Sequence, residues 1–267
     1  MNYRAFFGLA KDPFVADLAL DAILKTTDLT AVHERITYTV GLGAIALVTG
    51  EVGAGKSTAL RWVSGQFHPS KYKILWVTAT SGSILEVYRQ LLSELDIKSA
   101  SSSRAILTGQ IRYQITNLVQ TRKQQPVLII DEASLLRLDV FAELHTLTQF
   151  EGDSKPWLPM ILAGQNNLAD NLLYRTAVPL ASRIVARSHL QEVNREGMEL
   201  YLAHHIKIAG LKHSPFDSQA ITAIHQGSGG LFRKANHLAR GALLAAAGEK
   251  SQIVTPEHVR LASTELF

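Results

Sequence analysis

Cysteine is absent from all 267 residues. This excludes a disulfide framework, cysteine-bound zinc and a thiol nucleophile, since each needs the sulfur. Long apolar runs are absent as well. The longest, residues 44–48, 127–130 and 241–248, fall far short of the roughly 20 that a membrane-spanning helix needs. Residues 1–20 contain no uninterrupted apolar stretch of the secretory-signal kind. The expectation is a cytoplasmic protein with no membrane anchor of its own. Charge is sparse and nearly balanced: 27 Lys and Arg against 23 Asp and Glu, a formal net charge of +4, and a pI near 9.3. That excess permits a nucleic-acid or acidic-membrane partner without requiring one. Apolar residues make up 46%, the composition of a soluble globular chain rather than a disordered one. The length suits one large domain, or one plus a small one, with a core of useful size.

The spacing of apolar residues orders the chain. Leu29, Val32, Ile36 and Val40 recur at helical intervals, which predicts a helix over 29–40. Short apolar runs at 45–49, 74–78, 127–130 and 159–163 read as buried strands, and 183–190 contains a fifth. Helices are expected between them at 56–67, 83–95, 104–123 and 139–150, with a Ser-rich loop at 98–103. Ser83 followed by Glu86 is a capping-box pattern. Phe6, Phe7 and Phe14 around Gly8 and Pro13 read as an aromatic arm. Strands alternating with helices point to a parallel sheet covered on both faces. After Leu190 the strand signals stop. Helices are expected at 195–209, 217–226, 231–247 and 256–266, with Thr255–Pro256 as cap and first-turn proline of the last. The chain therefore divides near residue 190, into an α/β domain with its N-terminal arm (1–190) and a smaller helical domain (191–267).

Residues 50–57, Gly-Glu-Val-Gly-Ala-Gly-Lys-Ser, match G-x-x-x-x-G-K-[ST] in full. A strand precedes the match and a helix follows it, which a plain glycine-rich turn would not require. Glycines let backbone N–H groups curl around phosphates, and the helix beginning near Lys56 directs its positive end at the anion. Lys56 reaches the outer phosphates and the Ser57 hydroxyl a Mg²⁺ ion. The strand at 127–130 ends in Asp131 and Glu132. Ligands of parallel sheets bind at the carboxyl ends of the strands. There Asp131 serves the metal shell, and Glu132 polarises the attacking water as general base.

Three stretches together resemble the AAA+ ATPases, and more narrowly the ExeA/GspA-like family, whose neighbours are the transposition ATPases TnsC, TniB, IstB and MuB. They are Phe6-Phe7-Gly8-Leu9 with Pro13-Phe14, Thr49 through Ser57, and Asp131-Glu132-Ala133. The similarity runs over almost the whole chain. Ser134 departs from it, because members usually carry Gln or His there. The resemblance implies an α/β P-loop NTPase fold with a five-stranded parallel sheet, followed by a small all-helical lid. It implies ATP and Mg²⁺ as cofactors. Gly50, Glu51, Val52, Gly53, Ala54, Gly55, Lys56, Ser57 and Thr58 would contact the nucleotide, and Ser57 and Asp131 the metal. Besides Lys56 and Glu132, three residues take catalytic roles by resemblance. Gln165 matches the polar sensor 1 that orients water. Arg183, with Arg175 in reserve, matches an arginine finger acting on a neighbouring subunit. Arg233, in Gly230-Leu231-Phe232-Arg233, matches sensor 2 of the lid. The aromatic arm either lines the adenine pocket or packs onto its domain.

The same resemblance leaves two roles open. One is a regulator of DNA transposition that forms an ATP-dependent homo-oligomer or filament on double-stranded DNA and acts on a transposase. Phosphate contacts would then come from residues 78–83, Lys98 and Arg104. The other is an ATPase that assists assembly of a type II secretion complex. Full-length members of that kind continue into a membrane span and a peptidoglycan-binding module, and a 267-residue chain with neither leans towards transposition. The ten histidines are scattered, and the adjacent His204 and His205 cannot share a helix face. Solvated or capping roles are expected for them rather than a metal site.

Overall fold

The structure, a computed structural model, describes residues 2–264. It contains two compact units. One combines 26–50 with 56–190, and the other gathers the described residues up to Lys25, those of Glu51–Gly55, and those from Gln191 onward.

The α/β unit is a five-stranded parallel sheet. Its strands are β1 (Ile45–Gly50), β2 (Tyr72–Thr78), β3 (Gln125–Asp131), β4 (Met160–Gly164) and β5 (Ile184–Leu190), in the order β2-β3-β4-β1-β5. Every residue of β1 and β4 is buried. Strands covered on both faces are continuously apolar, and this is why they stood out as short hydrophobic runs. The helices are α2 (Thr27–Leu42), α3 (Lys56–Ser64), α4 (Ile84–Glu94), α5 (Arg104–Gln120), α6 (Leu138–Leu147), α7 (Asn167–Asn171) and α8 (Val178–Ala181). Tyr88 and Leu91 of α4, Leu107 and Ile111 of α5, and Phe141 and Leu144 of α6 share one core with β3 and β4. At the start of α2, the Thr26 hydroxyl accepts the Leu29 N–H at 3.2 Å, a cap of standard chemistry.

Local details depart from the sequence reading. Ser83 precedes α4 but makes no side-chain cap, and Glu86 does not reach back to it. The Glu86 carboxylate instead accepts the Thr80 hydroxyl, whose oxygen also takes the Gly82 N–H at 3.2 Å. The carboxylate thereby exchanges one charge-assisted hydrogen bond, to the Ser83 N–H, for another. Helices α7 and α8, of five and four residues, are too short to show a period.

The second unit is helical. Helix α1 (Tyr3–Phe7) joins α9 (Arg195–Ile208), α10 (Ser218–Ser228), α11 (Phe232–Gly248) and α12 (Pro256–Thr264). The last two residues of the helix expected over 256–266 lie outside the described residues. Asn194 and Asp217 cap α9 and α10 by accepting the Gly197 and Ala220 N–H groups at 2.8 and 2.6 Å. Helix α11 presents Ala235, Ala239, Ala242 and Ala246 to the core, small side chains that let neighbouring helices approach closely.

The arm was expected with the α/β domain, but it packs with the helices. Phe7, Leu9 and Phe14 are buried in the core of the helical unit. The Ala10 N–H bonds the Ala209 carbonyl at 2.8 Å, and Arg240 donates to the Phe14 carbonyl. His204 Nε2 donates to the Ala22 carbonyl at 2.7 Å. The cause is complementarity, since three apolar side chains of the arm match an apolar face formed by α9 and α11.

His205 lies beneath the arm, 2% exposed, with ring centroids 5.5 Å from Phe14 and 4.3 Å from Tyr201. Burial pushes its pKa down to about 4, with the neighbouring His204 adding to the effect. Below its ordinary pKa of 6.5 the unfolded chain binds a proton that the folded chain refuses until about pH 4. Stability is therefore complete above pH 6.5 and declines across that window, by on the order of 3 kcal/mol for this group. Urea unfolding followed at pH 7 and pH 4.5 should show the decline, and a His205→Phe chain should show clearly less of it.

Candidate functional site

Strand β1 ends at Gly50 and α3 begins at Lys56, so the chain reverses within Glu51–Gly55. The Ala54 N–H closes a turn on the Glu51 carbonyl at 3.1 Å. Gly53 and Gly55 adopt φ of +89° and +96°, which a residue with a Cβ takes only under strain. Lys56 is buried, and its Nζ donates to the Gly50 carbonyl at 2.8 Å. Ser57 and Thr58, on the first turn of α3, are exposed, as are Glu51 and Val52 of the loop. The result is a helix N-terminus with a lysine folded back onto the end of β1 and a hydroxyl beside it, an arrangement suited to a polyphosphate.

The carboxylates stand at the same end of the sheet. Thr49 of β1 pairs with Gly164 of β4, and Ile130 of β3 pairs with Leu162. Asp131 thus ends β3 at the carboxyl edge, one strand beyond the neighbour of β1, about 10 Å across the sheet. Asp131 is 7% exposed, and its Oδ1 accepts the Glu132 N–H at 2.9 Å. Glu132 has φ of +55°, a left-handed turn that breaks the strand's alternation directly after Asp131.

Gln165 follows β4, half-buried. Its backbone N–H bonds the Ser134 hydroxyl at 3.3 Å. The Ser134 carbonyl accepts from Asn171 at 3.5 Å. Ser134 lies in a single 3₁₀ turn, Ala133–Leu135, and is buried. It therefore ties the turn after the acidic pair to the start of the Gln165 segment, a positioning role that the sequence reading did not assign. The only hint was its departure from the family pattern.

Arg183 lies at the other end of the sheet. Its carbonyl accepts the Ile45 N–H at 3.1 Å, where β1 begins, about 16 Å along the strand from Gly50. Its guanidinium pairs with Asp153, and that hydrogen bond holds the Asp153 carboxyl below its usual range. Arg183 therefore stands apart from the residues at the carboxyl edge of its own sheet. Arg175 is exposed between α7 and α8. Of the residues expected to face DNA, Arg104 pairs with Glu143 at 2.9 Å and Lys98 is exposed.

Within the helical unit, Arg233 meets the loop through its backbone. Its N–H donates to the Gly53 carbonyl at 3.3 Å, while its side chain is exposed. A Cβ on Gly53 would come within 2.9 Å of the Arg233 Cβ, so only glycine permits this approach.

For a bound cation the donors on offer are the Ser57 hydroxyl and the Asp131 carboxylate, hard oxygens that suit Mg²⁺ completed by water and phosphate oxygens. Among the described residues no group of three or more His, Cys, Asp or Glu is placed to hold a metal ion.

Comparison with known proteins gives consistent results. Residues 41–172 match the AAA domain family. The chain is 28% identical over 269 residues to general secretion pathway protein A of Aeromonas hydrophila, covering 99% of this chain and 48% of that one. It thus spans about half the length of that relative. Cdc6p of Pyrobaculum aerophilum superposes with a TM-score of 0.77 at 16% identity, over 97% of this chain and 72% of that one. ORC1 of Aeropyrum pernix, solved in complex with DNA, gives 0.69 at 15% identity over 92% and 67%. The RuvB Holliday junction branch migration motor of Thermotoga maritima gives 0.60 at 18% identity over 95% and 73%. These structures share the fold of the chain, a P-loop AAA+ sheet with helices and an all-helical C-terminal region.

The contact between Ser134 and Gly164 is open to a direct test. A Cβ on Gly164 would lie 2.8 Å from the Ser134 backbone nitrogen. Gly164→Ala should therefore cost about 1–3 kcal/mol by overpacking, read as a lower urea midpoint.

Proposed function

We propose that this chain, which carries an AAA domain over residues 41–172, hydrolyses ATP with Mg²⁺, assembles with its own copies on double-stranded DNA, and regulates a transposase. The observation that carries the hydrolytic part is one edge of one sheet. Lys56 with its helix N-terminus, Asp131, Glu132 and Gln165 all stand there. Loop amides and Lys56 bind the phosphates. Ser57 and Asp131 would hold Mg²⁺, which when bound neutralises charge on the phosphate oxygens. Glu132 takes the proton as water attacks the terminal phosphorus and ADP leaves. Gln165 orients that water, Arg233 answers to nucleotide state, and Arg183 acts on the adjacent subunit. A cytoplasmic setting fits this role, and among the described residues no helix is long and apolar enough to cross a membrane.

Support for the DNA partner comes from the excess of basic residues and from folds of the same kind that carry DNA in their solved structures. A second reading, assistance to a secretion complex, is favoured by the 28% identity to general secretion pathway protein A.

ATP hydrolysis, with and without duplex DNA, together with electron microscopy of assemblies, tests the proposal. Wild type should hydrolyse ATP faster on DNA. Glu132→Gln should lose about 100-fold or more in rate while retaining nucleotide and assemblies, and Lys56→Ala should lose both. Hydrolysis without DNA binding in any nucleotide state would remove the transposition reading and leave the secretion one. For the finger, a mixture of Arg183→Ala and Glu132→Gln subunits should exceed the activity of either alone. No gain despite intact assembly would exclude action in trans.

A further inference from the structure

The phosphate loop needs a support that its own sequence does not supply. It is five residues long, and two of them are left-handed glycines, the residues that lose most conformational freedom on ordering. Its internal hydrogen bond, Ala54 N–H to the Glu51 carbonyl, fixes one side of the peptide plane between Gly53 and Ala54. The other side of that plane, the Gly53 carbonyl, is held by the N–H of Arg233. Leu231, the residue before α11, provides no side-chain cap, so the loop carbonyl satisfies an amide that a helix start leaves open.

Phe232, one residue earlier, covers the second glycine. A Cβ on Gly55 would lie 3.4 and 3.6 Å from two edge carbons of its ring. The ring is itself backed. Tyr201 of α9 lies 4.4 Å away, centroid to centroid, and is fixed by a 2.8 Å hydrogen bond from its hydroxyl to Asn236. Behind Tyr201 stands the buried His205, and behind that Phe14 of the arm. The side of Phe232 facing Tyr201 is thus filled by aromatic rings.

We infer that Phe232 is a positioning residue for the phosphate loop: its ring, braced by Tyr201, holds Gly55 and the peptide before Lys56 in the conformation that receives a nucleoside triphosphate. The inference rests on the nucleotide reading of that loop. Neither ring touches the nucleotide in this scheme. Their effect is on the fraction of molecules whose loop is ready, and affinity scales with that fraction.

The test is calorimetric titration of the 267-residue chain with ATP and with ADP, alongside steady-state hydrolysis and thermal unfolding. Phe232→Ala should weaken both nucleotides about tenfold, as a loop ready in one molecule in ten requires. It should raise KM in proportion, with kcat within about twofold. Tyr201→Ala, which does not touch the loop, should weaken binding about threefold, and Tyr201→Phe, which keeps the ring, should match wild type. Should Phe232→Ala unfold, Phe232→Leu carries the test with an expected loss of about threefold. A folded Phe232→Ala chain with wild-type affinity, or one whose binding falls only with its folded fraction, overturns the inference alone. A wild-type chain that binds neither nucleotide overturns the proposed function, and this inference with it.

Discussion

A chain that leaves a fully buried strand and enters a helix within five residues must bend through backbone conformations that only glycine takes without strain. Gly53 and Gly55 meet that demand at φ near +90°, and the rest of the site depends on it. The turn brings Lys56 back to the Gly50 carbonyl and opens α3 with its amides free of side-chain bulk. It also lets α11 approach Gly53 so closely that a methyl group there would collide with Arg233. The absence of two Cβ atoms thus serves the turn and its packing together.

The sheet supplies the second constraint. A parallel sheet places all its carboxyl ends on one edge. Side chains just past β1, β3 and β4 therefore gather there whatever their separation in sequence. Asp131 is buried at that edge while Glu132 itself takes the left-handed conformation, so two adjacent carboxylates receive different surroundings. Arg183, at the amino edge, is excluded from the same cluster by geometry alone. Ser134 joins the edge from below, through hydrogen bonds to the segments that follow β4.

Much of this was legible beforehand, and the reasons are local. Buried strands such as residues 45–49 and 127–130 announce themselves because both faces must be apolar. The glycine-rich loop does so because its glycines, lysine and serine stand at the fixed spacing of a recognised motif. The helices after Leu190 were legible by period and caps. Short helices such as α7 carry too few residues for a period. The capping box expected of Ser83 and Glu86 is not formed, and the Glu86 carboxylate accepts the Thr80 hydroxyl instead. The arm's partner was not legible at all, because Phe7, Leu9 and Phe14 announce an apolar face without saying which surface it meets.

The sequence by itself determined the order of the strands and helices along the chain, the change to helices near residue 190, and the phosphate loop with its acidic pair. These depend on periodicity, backbone permissiveness and chemistry over a few neighbouring residues. Tertiary structure alone decided that the arm joins the helices, that Ser134 bonds the start of the Gln165 segment, that Arg183 pairs with Asp153, and that Phe232 rests on Gly55. Each of these joins residues 30 or more positions apart. Such contacts are fixed by the packing of whole elements, which no local pattern of residues contains.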